Sequence, residues 1–178
     1  MNEILTRFDN PGWFTPNLIF VIMSFEKKWR KYYLCIKDEC TKLGLEVLRA
    51  DEIPGSVPIA DMVREYLSKA EFIICDLTGE RHNVYYELGL AQGAGNAPLD
   101  IFLIAKEDTK IHFNIAAFRI RYFRTTRDLR TLISNDFKEM IKERRKRENF
   151  KERRKKKQNF TNVKSLLPAI KAKQSELK

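Results

Sequence analysis

The chain is poor in the residues that make metal and disulfide centres: of its 178 residues only three are cysteine and two are histidine. Cys35, Cys40 and Cys75 are odd in number, contain no CxxC pair and share no zinc-like spacing with His82 or His112. They read as reduced core thiols among apolar neighbours. No apolar run approaches the roughly 18 residues that span a bilayer, and "MNEILTRFDN" lacks the basic region and apolar core of a secretion signal. A soluble, cytoplasmic protein with no membrane partner is therefore expected. No internal repeat is visible. The first expected strand ends in "MSF", with no acid to hold magnesium, which argues against a phosphoacceptor receiver.

What is present is an ordinary globular composition, 43% hydrophobic and 33% charged, with a formal charge of +10 that is unevenly spread. Residues 138–157, "KEMIKERRKRENFKERRKKK", carry twelve Lys/Arg against four Glu. Residues 1–137 carry 18 basic and 19 acidic side chains and are nearly neutral. The basicity belongs to a tail, which separates an irregular lead-in (1–17), a folded body (18–137) and a basic helical extension (138–178). Such a tail attracts phosphate backbones at low salt, so nucleic acid or another partner is a candidate there, beside a merely solvated arm. Farther on, Val163, Leu166, Leu167 and Ile170 make a short apolar stripe, too short to be stable alone.

The body alternates two kinds of pattern. "LIFVIMS" (18–24), "LEVLRA" (45–50), "EFIICDL" (71–77), "LDIFLIA" (99–105) and "FRIRYF" (118–123) are apolar runs of strand length. Between them Tyr32, Tyr33, Ile36, Cys40 and Leu43, then Ile59, Met62, Val63, Tyr66 and Leu67, recur at helical spacing, with Gly44 as a stop. A third helix is expected from about Val84 to Gly93, capped by Asn83, and a last one from Leu129. Strand–helix alternation with short connections predicts a parallel sheet covered on both faces, a flavodoxin-like three-layer α/β sandwich of about five strands.

In such a sheet ligands bind beyond the carboxyl ends of the strands. The polar groups delivered there are Ser24, with Met23 and Phe25 at the floor; Arg49 and Asp51; and Asp76 followed by Asn83 and Glu87. Asn83 and Glu87 are four apart and share a helix face. A carboxylate so placed can attack or stabilise an electropositive sugar carbon. Each has a plainer reading: Asp76 as a turn cap, Glu87 as a favourable first-turn acid, Tyr85 and Tyr86 as packing, and His82 as an exposed loop residue.

"FVIMSFEKKW", "LGLEVLRADEIPGS", "AEFIICDLTGERHNVYYELGLAQGAG" and "IHFNIAAFRIRYF", spread over about residues 18–125, resemble the successive motifs of the TIR-like, nucleoside 2-deoxyribosyltransferase-like proteins of bacteria. The resemblance implies that Glu87 is the catalytic carboxylate, that Asp76 and Asn83 hold sugar hydroxyls or orient it, and that Met23, Ser24 and Phe25 line the sugar or phosphate pocket. Arg49, Asp51 and Tyr86 are further substrate-binding candidates. It implies cleavage or transfer at the N-glycosidic bond of NAD or a nucleoside, with no metal and no cofactor beyond the substrate, in a homo-oligomer and in bacterial defence. A non-catalytic nucleotide sensor or assembly module is the alternative. Deoxyribosyltransferases carry a further acid where this chain has Val63, with Asp61 the nearest, and their "GKP" is here "GNAPLD". The missing acid weighs toward cleavage over base exchange, and "GNAPLD" implies a different shape for the loop before the fourth strand.

Overall fold

The computed structural model describes residues 14–55, 58–94, 96, 99–147 and 149. Residues 1–13 of the expected lead-in and the tail beyond 149, with its apolar stripe, lie outside them. Strands β1 (Thr15–Ile22), β2 (Glu46–Arg49), β3 (Ala70–Asp76), β4 (Ile101–Lys106) and β5 (Ile120–Phe123) form one sheet in the order β2-β1-β3-β4-β5. Every neighbouring pair is parallel. Helices α1 (Arg30–Lys42), α2 (Ile59–Lys69), α3 (His82–Gly93), α4 (Phe113–Ala116) and α5 (Thr126–Thr131) connect and cover the strands.

Two-residue alternation along the strands sorts the core into two halves. Ile19, Val21 and Met23 of the β1 segment, with Phe72, Ile74, Phe102 and Ile104, pack against Tyr33 and Ile36 of α1 and against Leu129, Ile133 and Phe137. Leu18, Phe20 and Ile22, with Ile73, Cys75, Ile101 and Leu103, pack against Val63 and Leu67 of α2 and Val84 and Leu88 of α3. The result is a three-layer α/β sandwich with α1 and α5 on one face and α2 and α3 on the other. Cys35, Cys40 and Cys75 are free and buried, as their apolar neighbours predict. No helix among the described residues is long and apolar enough to cross a membrane.

Local chemistry sets the element ends. Gly44, at φ 77°, takes the left-handed turn that stops α1. The side chain of Thr125 accepts from the Asp128 backbone while Asp128 returns to Thr125, a capping box that starts α5. Asn83 does not cap α3 as expected: the helix begins one residue before it, Arg81 stands at the N-cap, and no side chain caps there. From α5 the chain passes through a π-helical stretch, Leu132–Phe137, into a helix over 138–147. The π-stretch and the four-residue α4, which has no buried side chain to mark it in a pattern, were not expected.

Near its start β1 advances four positions, Thr15 to Ile19, where β3 advances two, Ala70 to Phe72. Asn17 absorbs the excess in the left-handed region, at φ 64°, and its N–H donates to Oε2 of buried Glu71 at 2.5 Å. Asn17→Gly should leave stability within about 0.5 kcal/mol, because glycine accepts that conformation, whereas Asn17→Val should cost about 1–2 kcal/mol. Urea midpoints of the two variants check this; equal midpoints would remove the bulge from the account.

The chain falls into two compact units, residues 1–141 and 142–178. In the second, Arg147 donates to Glu143 at 2.5 Å, an i,i+4 pair on the described part of the basic helix.

Candidate functional site

The register fixes which strand ends meet. Val21 lies beside Arg49, Ile22 beside Cys75, and Asp76 beside Ile104. From β1 the chain leaves toward β2 on one side, and from β3 toward β4 on the other. The loops after β1 and β3 therefore part at their common edge, the topological switch point where ligands of open α/β sheets bind.

Three groups of side chains gather along this edge. The first joins the two parting loops. Arg81, from the loop after β3, donates to Glu26, from the loop after β1, which also pairs with Lys28 at 3.1 Å and accepts from the Ser24 hydroxyl at 3.3 Å. The Lys28 and Arg81 cations hold the Glu26 carboxyl below the usual carboxylate range, the Lys28 hydrogen bond being the largest cause. Gly79, at φ 82°, packs so closely on Trp29 that a Cβ there would stand 3.3 Å from the indole, which ties this loop to the entry of α1.

The second group lies at the end of β2. Arg49, almost fully buried, makes two parallel 2.6 Å bonds to Asp51 through Nε and Nη2. Its guanidinium sits 4.0 Å from the Tyr33 ring centroid and 5.4 Å from that of half-exposed Phe25. Glu52 accepts from the Tyr33 hydroxyl and from Lys37 Nζ, the latter at 2.7 Å. Burial, then the Glu52 carboxylate, pushes the Tyr33 hydroxyl well up.

The third set is two acids, one ending β3 and one following it in α3, that do not meet each other. Asp76 is buried and accepts from the Thr78 backbone at 3.0 Å and from the Thr78 hydroxyl. That hydroxyl in turn accepts from the Lys106 N–H at 3.0 Å, which fixes the turn to the end of β4. Burial outweighs these bonds and lifts the Asp76 carboxyl to about 6. Glu87, one turn into α3 and half-buried, makes no hydrogen bond or ion pair among the described residues, and burial alone lifts its carboxyl to about 7. The Cys75 thiol is raised by burial first and then by the charges of Asp76 and Glu87.

Of the residues expected to share a pocket, the structure joins Arg49, Asp51 and Phe25 by direct contact and links Ser24 to Glu26. It does not join Asp76 to Glu87: alternation sends Asp76 toward the face of Phe72 and Ile74, while Cys75 faces α3. Asn83 is exposed and bonded to neither acid. Met23 is buried in the α1-side core. Tyr86 is 60% exposed, with its ring free to meet a ligand, while Tyr85 packs edge-on against His112 at 4.8 Å. Sequence reasoning missed Glu26, Lys28, Thr78 and Arg81; "SFEKKW" and "TGERHN" hold them, but the Glu26–Arg81 pair spans 55 positions and leaves no periodic trace.

Asp76 carries a testable sign. Its folded value, about 6, exceeds its ordinary one, so the folded state holds the proton more tightly and stability falls as pH rises from about 4 to about 6. Asp76→Asn, whose side-chain oxygen still accepts from Thr78, should be more stable than the parent at pH 8 by about 1–3 kcal/mol and should flatten that part of the profile. Urea unfolding at pH 4 and pH 8 decides; an Asn variant that loses stability at pH 8 would overturn the account.

Among the described residues no group of three or more His, Cys, Asp or Glu side chains could hold a metal ion. The chain matches no protein-family model, and no curated protein matches it.

Proposed function

We propose that the protein cleaves or transfers the N-glycosidic bond of a nucleotide, with the Glu87 carboxylate meeting the anomeric carbon. The observation that carries this reading is an unpaired, half-buried carboxyl lifted to about 7 at the ligand edge of a parallel sheet. Withdrawn carboxylates are as a rule paired, and an unpaired one with a raised value in such a place is a candidate for chemistry. The motif resemblance around "NVYYELGLA" assigns the same residue.

A single free carboxylate favours one kind of leaving group. Nicotinamide is cationic while attached to ribose: when the C1′–N bond breaks, its electron pair neutralises the ring nitrogen and no proton donor is needed. The ionised Glu87 then stabilises the oxocarbenium carbon or bonds to it, and water completes hydrolysis by adding hydroxyl to C1′ and releasing a proton. A neutral nucleoside base must be protonated to leave. NAD or NADP is therefore preferred over an ordinary nucleoside. Incubation of the full chain with NAD, NADP and a nucleoside panel, followed by chromatography, tests this: free nicotinamide is the expected product. Intact substrates throughout, with purified oligomer and any activating partner present, would end the reading.

One observation favours a second reading, a nucleotide sensor without turnover. Asp76 is committed to Thr78, so no second acid stands ready to assist Glu87. Calorimetry showing binding with no product would select it. In either reading self-association and the tail enter as proposals: residues 138–157 would bind nucleic acid through their twelve basic side chains. That affinity should fall by orders of magnitude between 50 and about 200 mM salt, and should vanish in a chain ending at 141.

A further inference from the structure

The Glu26 carboxylate lies among three donors that belong to both sides of the switch-point crevice: the Ser24 hydroxyl, the Lys28 ammonium and the Arg81 guanidinium. One oxygen receives Ser24 and Arg81, the other Lys28, so the carboxylate is held as a small oxyanion would be. The setting is otherwise costly. Lys27, Lys28, Arg30 and Lys31 crowd the start of α1, where the helix dipole repels cations. No acidic side chain stands in the first turn of α1, and no side chain caps it. A cationic cluster at the positive end of a helix is stabilised by an anion, and Glu26 supplies one negative charge from within the chain. The charged side chains remain within a ligand's reach, Glu26 37% exposed, Arg81 45% and Lys28 59%, while Ser24 is buried beneath them at 6%.

We propose that Ser24, Lys28 and Arg81 form a phosphate-binding site at the switch point, and that Glu26 occupies it as an internal stand-in which a phosphorylated ligand displaces. The proposal rests on the nucleotide reading above and adds that the preferred ligand carries a phosphate, so that a nucleotide is distinguished from the corresponding nucleoside. Guanidinium, ammonium and hydroxyl donors around one point suit a tetrahedral dianion better than a planar monoanion. Removing the Glu26 charge strips the site of its competitor and of a repulsion toward the incoming phosphate.

The test reads binding, not turnover. Calorimetry with AMP, adenosine and inorganic phosphate is run on the full chain in a Glu87→Gln background, alone and with Glu26→Gln added. AMP is expected to bind about five- to tenfold more tightly once Glu26 is replaced, with adenosine unchanged. Adding Lys28→Ala and Arg81→Ala should abolish the gain, and raised salt should weaken it. Inorganic phosphate gaining in parallel with AMP is expected if the site reads phosphate alone; a gain for phosphate without one for AMP overturns the nucleotide assignment. The proposal also falls if AMP affinity is unmoved by Glu26→Gln, if adenosine gains equally, or if neither protein binds millimolar AMP. Melting curves show that each variant is folded. A parent enzyme that leaves NAD intact would sink the glycosidic reading without touching this result.

Discussion

Glu87→Gln should reduce N-glycosidic turnover by about 10³-fold while leaving the protein more stable at pH 8. The two effects share one cause. Burial without a partner keeps the carboxyl near 7, so the folded state favours the protonated form and loses stability as the group ionises between about pH 4.5 and 7. The amide is isosteric and cannot ionise, so it removes that cost. Discounted for the exposed part of the side chain, the gain is on the order of 1 kcal/mol. Turnover by the parent should rise with pH through about 7 and level off, since the ionised carboxylate is the active form. Initial rates from pH 5.5 to 8.5 and urea midpoints at pH 8 check both halves. An amide variant that is fully active removes Glu87 from the chemistry. One that is inactive but less stable removes the account of its ionisation.

Arg49→Ala should cost about 3 kcal/mol, the largest loss expected from any single side chain at this edge. The side chain makes two bonds to Asp51, stacks 4.0 Å above Tyr33 and fills buried space with its stem. Truncation leaves Asp51 without its cation and Tyr33 and Phe25 without the group between them. Arg49→Lys should recover less than half of the loss, because an ammonium neither forks onto a carboxylate nor stacks flat on a ring. Urea midpoints at pH 7 for the three proteins settle the order. A lysine variant as stable as the parent would reduce Arg49 to a simple positive charge. The same substitutions loosen the connection after β2, which Tyr33 and Lys37 hold through Glu52.

How much of this could be read in advance differs between the scaffold and the site, for physical reasons. Doubly buried strands such as "EFIICDL" announce themselves because the side chains between the terminal acids Glu71 and Asp76 are all apolar, and α1 and α2 because their buried faces repeat at helical spacing. The parallel order then follows from alternation of the two. That topology names the residues at the strand ends, Arg49 and Asp76, and the helix that follows, with Glu87. It does not name their pairings. Asp76 finds its partner two residues away in Thr78, a choice among several turn geometries, and Glu26 finds Arg81 across 55 positions, a pairing of charges with no period. Asn83 shows the same limit: a residue fit to cap a helix was passed over because Arg81 took the N-cap place.

The π-helical stretch Leu132–Phe137 acts as a phase corrector. Leu129, Ile133, Phe137, Met140 and Ile141 all reach the core. On a uniform α-helix the successive steps of four residues from Leu129 to Phe137 would drift about 40° each, carrying Phe137 and Ile141 toward solvent. Wider i→i+5 winding turns less per residue and cancels the drift. Removing one residue between 132 and 137 would restore an ordinary helix; the turn of about 100° lost with that residue and the under-winding lost with the π-stretch offset each other, so Met140 and Ile141 would keep their place in the core. The π-stretch is thus one extra residue taken up locally, so that the chain on either side of it keeps its apolar face to the core.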